Sequence, residues 1–212
     1  HIELNNEVTK RKDNGFFDLE KDQEALKVYL EEIHDKMISF DDEIERLHYL
    51  VDNNFYFNVF EKYSEAELIE ITEYAKSIHF QFASYMSASK FYKDYALKTN
   101  DKTKFLEDYN QHVAIVALYL ANGNVKQAKQ FISAMVEQRY QPATPTFLNA
   151  GRARRGELVS CFLLEVDDSL NSINFIDSTA KQLSKIGGGV AINLSKLRAR
   201  GEAIKGIKGV AK

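Results

Sequence analysis

One residue of this sequence can carry thiol chemistry, Cys161. A lone cysteine rules out an internal disulfide and any multi-cysteine metal site. It sits in the apolar run LVSCFLLEV, 158–166, and taken by itself reads as a buried strand cysteine. Downstream lie Gly187-Gly188-Gly189 and a glycine-rich basic tail, Arg198-Ala199-Arg200-Gly201 and Lys205-Gly206-Ile207-Lys208-Gly209. Backbone N–H groups freed by glycine and flanked by Arg and Lys can cradle an anion. Neither common nucleotide motif is present. Gly201 and Gly206 have P-loop spacing, but Ile207 stands where lysine is required. Gly187 and Gly189 fit the first two dinucleotide-fold glycines, but Ile192 stands at the third. Glu31-x-x-His34 and Glu45-x-x-His48 match the di-iron bundle pattern. They lie close together across a helix break in acid-rich stretches, so they read as solvated faces rather than metal ligands. His79 and His112 lie among apolar neighbours and read as structural.

These residues fall on two unlike segments. Residues 1–150 hold 2 of the 10 glycines, 23 of the 25 Phe and Tyr residues and a net charge of −8, whereas residues 151–212 carry +5. A basic, glycine-rich segment beside an acidic, aromatic one implies two jobs. Charge alone leaves open whether the basic part binds phosphate or is simply a solvated face. Hydrophobic residues make up 44% and charged residues 28% of the 212, which excludes a disordered chain. No apolar run is long enough to span a membrane. No export signal is visible, and a free cysteine fits a reducing cytoplasm.

The first segment reads as helices. Leu26, Leu30, Ile33 and Met37 share one helical face. Ser39 precedes a helix over Asp41–Leu50, with acids in its first turn. Ser64 and Glu67 form a capping box before a long helical stretch to about Leu97, which Thr99-Asn100-Asp101 interrupts. Another helix is expected from about Phe105 to Ala121. Asn122-Gly123-Asn124 stops it, and Val125 to Arg139 is the last of the set. The short link makes these two an antiparallel pair. Both prolines lie in Gln141-Pro142-Ala143-Thr144-Pro145, a boundary or ordered loop. The second segment then reads as a strand at 158–166, N-cap chemistry at Asp167-Asp168-Ser169 and an apolar stripe from Leu170 to Ile186. Val190 to Leu194 closes it as a second strand. Strand, helix, strand is a βαβ unit, so the strands are expected to be parallel.

RYQPATPTFLNAGRARRGELVSCFLLEVDDSLNSI, followed by IGGGVAINLSKLRARGEAIKG, resembles the large (alpha) subunit of class Ib ribonucleotide reductase. The likeness covers 139–209 strongly, and FYKDYALKTND keeps it in the helical part. The resemblance implies an α/β fold with an all-α N-terminal domain over residues 1–150. The opening strands of a ten-stranded α/β barrel follow over 151–212. It implies reduction of ribonucleoside to deoxyribonucleoside diphosphates by thiyl-radical and dithiol chemistry for DNA synthesis, in the cytoplasm. Cys161 matches the first redox cysteine, and Thr144, Ser160, Gly188 and Gly189 match substrate contacts. Asp168, Leu170, Arg198, Ile204 and Lys205 match the specificity-effector site, which takes dNTP or ATP with Mg. No metal is expected on this chain itself. The implied partners are a small (beta) subunit whose dimetal site supplies the radical, a second alpha subunit, and a thioredoxin- or glutaredoxin-like reductant. Neither a membrane nor a nucleic acid is expected as a partner.

Two departures from the family pattern shape the expectation further. The radical cysteine, the second redox cysteine, the catalytic Asn and Glu and the shuttle cysteines are not among these 212 residues. The chain alone is therefore expected not to turn over, as a fragment or one piece of a split or interrupted gene. Its N-terminus is too short for a complete ATP-cone, so no overall activity site is expected. A barrel cut after two strands has unpaired edges and is expected to associate or be poorly stable. The alternative function is a non-catalytic nucleotide-binding or dimerisation module.

Overall fold

The computed structural model describes residues 1–58, 61–154 and 156–209. The chain divides into two compact units, His1–Arg155 and Gly156–Lys212. Gly151 and Arg152 belong with the helices: Phe57 N–H donates to Gly151 O at 2.8 Å and Ala153 N–H to Phe55 O at 3.0 Å.

In the first unit the described helices are α1 (Ile2–Val8), α2 (Leu19–His34), α3 (Glu43–Asp52), α4 (Glu65–Ser77), α5 (Tyr85–Lys90), α6 (Tyr109–Ala121), α7 (Val125–Val136) and α8 (Thr144–Asn149). A π-helical turn, Phe91–Tyr95, continues α5. The centre is α6, apolar on every side, with Val113 through Leu118 all buried. Helices α4 and α7 pack on it and on each other. The Tyr109 hydroxyl, at the start of α6, donates to Met135 O near the end of α7, so that pair is antiparallel as expected. Asn122 at φ 50° and Gly123 at φ 97° make the left-handed turn between them.

Local chemistry moved several boundaries. The Ser64–Glu67 capping box is present. The helix it starts ends at Ser77, not near Leu97, because Asn110 Nδ2 donates to Ala75 O at 2.7 Å and Ile78 O at 3.0 Å. The aromatics that follow leave the helix for the core: Phe80 stacks on Tyr109 with centroids 3.8 Å apart. A second capping box, Ser84 with Ser87, restarts the helix. Asp42 rather than Ser39 caps α3, accepting from Glu45 N–H at 2.8 Å. Met37 lies beyond the end of α2 and bridges to Phe105. Asp108 caps α6, which therefore begins later than expected. Helix α7 stops at Val136, and the expected proline loop holds a further helix, α8, with Pro145 in its first turn. Helix α1 had no counterpart in the sequence reading.

The second unit is the βαβ unit: β1 (Cys161–Glu165), α9 (Leu170–Lys185) and β2 (Gly189–Asn193). The strands are parallel, as expected, with Cys161 opposite Gly189 and Glu165 opposite Asn193. Ser169 caps α9, accepting from Ser172 N–H at 3.2 Å. Phe162 and Leu164 are half-buried, while Cys161, Leu163 and Glu165 are exposed, so α9 covers one face of the pair. Among the described residues no helix is long and apolar enough to cross a membrane.

Candidate functional site

The thiol lies on the uncovered face. Cys161 is free and exposed at the first position of β1, contrary to its reading as a buried strand residue. Strand alternation buries every second side chain, and Cys161 has the outward parity. Ser160 Oγ lies 3.9 Å from its Sγ, and Gly189 N–H donates to Ser160 O at 2.7 Å. Ser160, Cys161, Gly188 and Gly189 are thus one cluster.

The two glycines differ physically. A Cβ on Gly188 would lie 2.1 Å from the Phe162 ring, so packing within the unit already demands glycine there. A Cβ on Gly189 would meet only Ser160 O, at 3.4 Å, and its φ is not positive. Among the described residues a Cβ at Gly189 would therefore meet no more than ordinary contact. The lack of a side chain at Gly189 leaves open the space opposite the thiol, where a ligand could approach main chain closely.

A second cluster gathers the other expected residues of this unit. Arg198 Nε donates to Asp168 Oδ2 at 2.6 Å, and its Nη1 donates to Ala203 O at 3.1 Å. Lys196 Nζ lies 3.0 Å from Glu165 Oε2 and 3.2 Å from Asp167 Oδ1. Its hydrogen bonds to the Glu165 and Asp167 carboxylates raise its pKa. Ile204, Lys205, Gly206 and Ile207 form a tight turn with φ 51° and 82° at its centre, closed by reciprocal Ile204 and Ile207 backbone bonds of 3.0 Å. Leu170, first in α9, is 71% exposed. The Asp168–Arg198 pair is about one-third exposed on each side, so it is worth at most about 1 kcal/mol. A phosphate can displace the carboxylate from Arg198 at little cost, and the guanidinium fork suits phosphate oxygens.

Thr144 lies in the helical unit, exposed at the start of α8, where its Oγ1 is 3.1 Å from the Tyr95 hydroxyl. Behind it is a buried charge network that the sequence reading missed. Glu107 is wholly buried. Its Oε1 accepts from Leu97 N–H at 2.7 Å and Arg152 Nη2 at 3.4 Å, and its Oε2 from the Tyr56 hydroxyl at 2.8 Å. His112 faces Glu107 Oε1 through Nδ1 and Phe147 O through Nε2, both at 2.8 Å. Both ring nitrogens thus face oxygen atoms of the buried network. Burial works to raise the Glu107 carboxyl, but His112 first, then Arg152 and Arg46, outweigh it and hold the group down at about 2. Burial, then the Glu107 charge, pushes the Tyr56 phenol far up. The sequence signal was an acid just before the capping Asp108 of an apolar helix, five residues before a histidine. His112 is structural as read, whereas His79 is exposed. Among the described residues no group of three His, Cys, Asp or Glu side chains could hold a metal. A cleft of the helical unit, about 610 Å³ and walled by Phe80, Phe82, Tyr92 and Tyr109, contains none of the expected site residues.

Comparison with known proteins covers nearly the whole chain. Three family models match in succession: ribonucleotide reductase N-terminal over 1–80, ribonucleotide reductase all-alpha domain over 81–155, and ribonucleotide reductase barrel domain over 159–212. The chain is 53% identical over 213 residues to the ribonucleoside-diphosphate reductase subunit alpha of Bacillus subtilis (strain 168), covering 100% of this chain and 30% of that relative. It is 54% identical to the corresponding NrdEB subunit alpha of Bacillus phage SPbeta, over 100% of this chain and 20% of that relative. It is 44% identical over 193 residues to the subunit alpha of Mycoplasma pneumoniae, covering 90% of this chain and 27% of that relative. The chain therefore spans less than a third of the length of each of these relatives.

Proposed function

The chain belongs to the ribonucleotide reductase alpha-subunit family, its helical domains followed by the start of the barrel domain, and on that premise we propose that it supplies the first redox thiol and the specificity-effector site of a class Ib ribonucleoside-diphosphate reductase. The observation that carries this reading is the exposed Cys161 thiol opposite Gly189, where a Cβ would meet no more than ordinary contact. Replacing a 2′-hydroxyl by hydrogen takes two electrons and releases water. A pair of thiols gives up two hydrogens and closes to a disulfide, which balances that change. Cys161 is one of the pair. The other is not among these 212 residues, so the 212-residue chain by itself does not turn over. A partner small subunit would supply the radical from its dimetal site, and a thioredoxin- or glutaredoxin-like protein would reopen the disulfide in the cytoplasm.

Ser160, Gly188 and Gly189 would contact the substrate nucleotide, Gly189 through its open space and Gly188 through backbone fixed by Phe162. Thr144 is carried as a substrate contact by the family resemblance. Asp168 and Leu170 would hold the sugar and base of a dNTP or ATP effector. Arg198 would take its phosphates, and the Ile204–Lys205 turn would lie around it. Magnesium would arrive on the effector's phosphates, since the carboxylates here already face Lys196 and Arg198. The exposed Leu170, Ile173 and Phe175 on α9 suit packing against a second alpha subunit.

Two substitutions test the reading. Arg198→Ala should weaken dTTP binding by about tenfold or more, the worth of a charge-assisted hydrogen bond, in equilibrium dialysis. Cys161→Ser should leave that binding unchanged yet abolish reduction in the assembled reductase. Turnover surviving Cys161→Ser overturns the redox assignment. dTTP binding indifferent to Arg198→Ala overturns the effector assignment.

A further inference from the structure

We infer that Tyr95 is a positioning residue for the substrate, its phenol holding the Thr144 hydroxyl in the orientation that a bound nucleotide meets. This rests on the reading of Thr144 as a substrate contact. The Tyr95 hydroxyl is 3.1 Å from Thr144 Oγ1. A threonine hydroxyl has one hydrogen and two lone pairs. When the phenol donates to Oγ1, the Thr144 hydrogen is left to donate outward, as a phosphate or sugar oxygen requires. Without that bond the exposed hydroxyl rotates freely, and its ordering falls to the ligand.

Tyr95 is built to be held still. It closes the π-helical turn Phe91–Tyr95, in which Ala96 N–H reaches back to Phe91 O at 2.9 Å. Such a turn inserts a residue into the helical register and re-aims the side chain at its end. The Tyr95 carbonyl accepts from Arg152 Nη2 at 2.6 Å, and its ring lies against Phe147 with centroids 5.5 Å apart. Arg152 in turn meets Glu107, Glu107 meets His112, and His112 donates to the carbonyl of Phe147 in α8, the helix that begins with Thr144. The connection is a closed loop: the Tyr95 phenol and the His112 ring fix α8 at its first residue and at its fourth. A surface tyrosine with no task would need neither a π turn nor a partly buried guanidinium against its carbonyl.

The test uses the reductase holoenzyme with cytidine 5′-diphosphate as substrate. Tyr95→Phe keeps the ring against Phe147 and removes only the hydroxyl. The expected result is a rise in KM of about fivefold, the worth of one neutral hydrogen bond, with kcat within twofold and an unchanged unfolding temperature. Thr144→Val should raise KM by at least as much, and adding Tyr95→Phe to it should change nothing further, because the two act through one contact. If Thr144→Val raises KM while Tyr95→Phe matches the parent, the positioning role is overturned and the substrate reading of Thr144 stands. If Thr144→Val leaves KM at the parent value, the substrate reading of Thr144 fails and the proposal with it. If the two effects add in full, Tyr95 acts by another route and the proposal is likewise overturned.

Discussion

Replacing Glu107 by glutamine removes one charge from the interior of the helical unit while keeping its shape. The carboxylate is wholly buried and takes hydrogen bonds from Leu97 N–H, the Tyr56 hydroxyl and His112. Its pKa falls from 4.5 to about 2 on folding, so the ionised form is favoured over the neutral one by roughly 3 kcal/mol at ~1.4 kcal/mol per unit. Glutamine is the neutral form made permanent, and its cost should be similar. Breaking one side of a buried ion pair costs about 3–5 kcal/mol, which agrees. For a domain of this size that is a fall in Tm of about 6–12 °C at neutral pH. The sign with pH follows from the depressed pKa. The contribution is fully present above pH 4.5 and is lost as pH falls towards 2, so the parent should approach the variant in strong acid. All 11 tyrosines lie before residue 151 and there is no tryptophan. Tyrosine fluorescence during heating therefore reports the helical unit alone, whatever the second unit does. A Tm within about 3 °C of the parent at neutral pH, or a difference that persists undiminished to pH 2, would refute the claim that this carboxylate holds the unit together.

Two smaller predictions concern local geometry. Gly188→Ala drives a methyl into the Phe162 ring and should destabilise the βαβ unit by about 1–3 kcal/mol, with Phe162→Leu restoring part of the loss; Gly189→Ala should leave stability nearly unchanged but weaken nucleoside diphosphate binding, and far-ultraviolet circular dichroism with isothermal calorimetry separates the two effects. Ser64→Ala removes the cap of α4 and should cost about 1 kcal/mol in a urea titration followed by tyrosine fluorescence, with no effect on dTTP binding.

The exposed pairings of the second unit bear on how an effector would be received. Asp168 and Arg198 are far apart in sequence but share a hydrogen bond of 2.6 Å. Each group is thereby held near the place where the proposed ligand needs it, and the pair is weak enough to open. The same economy recurs around the Cys161 thiol. Parallel pairing alone sets Gly189 opposite Cys161, with no side chain intervening.

Much was fixed by local sequence. The Ser64–Glu67 box, the Asn122-Gly123 stop and the Ser169 cap act within four residues, so they can be read without a fold. The βαβ order follows from the pattern at 158–194, because two short apolar runs around one helix-length stripe leave few other arrangements. What the residues could not show was which apolar stretch continues a helix and which leaves it. The break after Ser77 depends on Asn110, 33 residues later, taking the α4 carbonyls, and on Tyr109 stacking with Phe80. Cys161 read as buried because its run is apolar; its exposure depends on strand parity and on α9 covering only one face. The Glu107 network was invisible for the same reason. Its members, Tyr56, Leu97, Glu107, His112 and Arg152, are scattered along the chain, and only the folded helical unit gathers them. Short-range hydrogen bonds are written in neighbouring residues. Burial and charge pairing are properties of residues that meet only after the chain has folded.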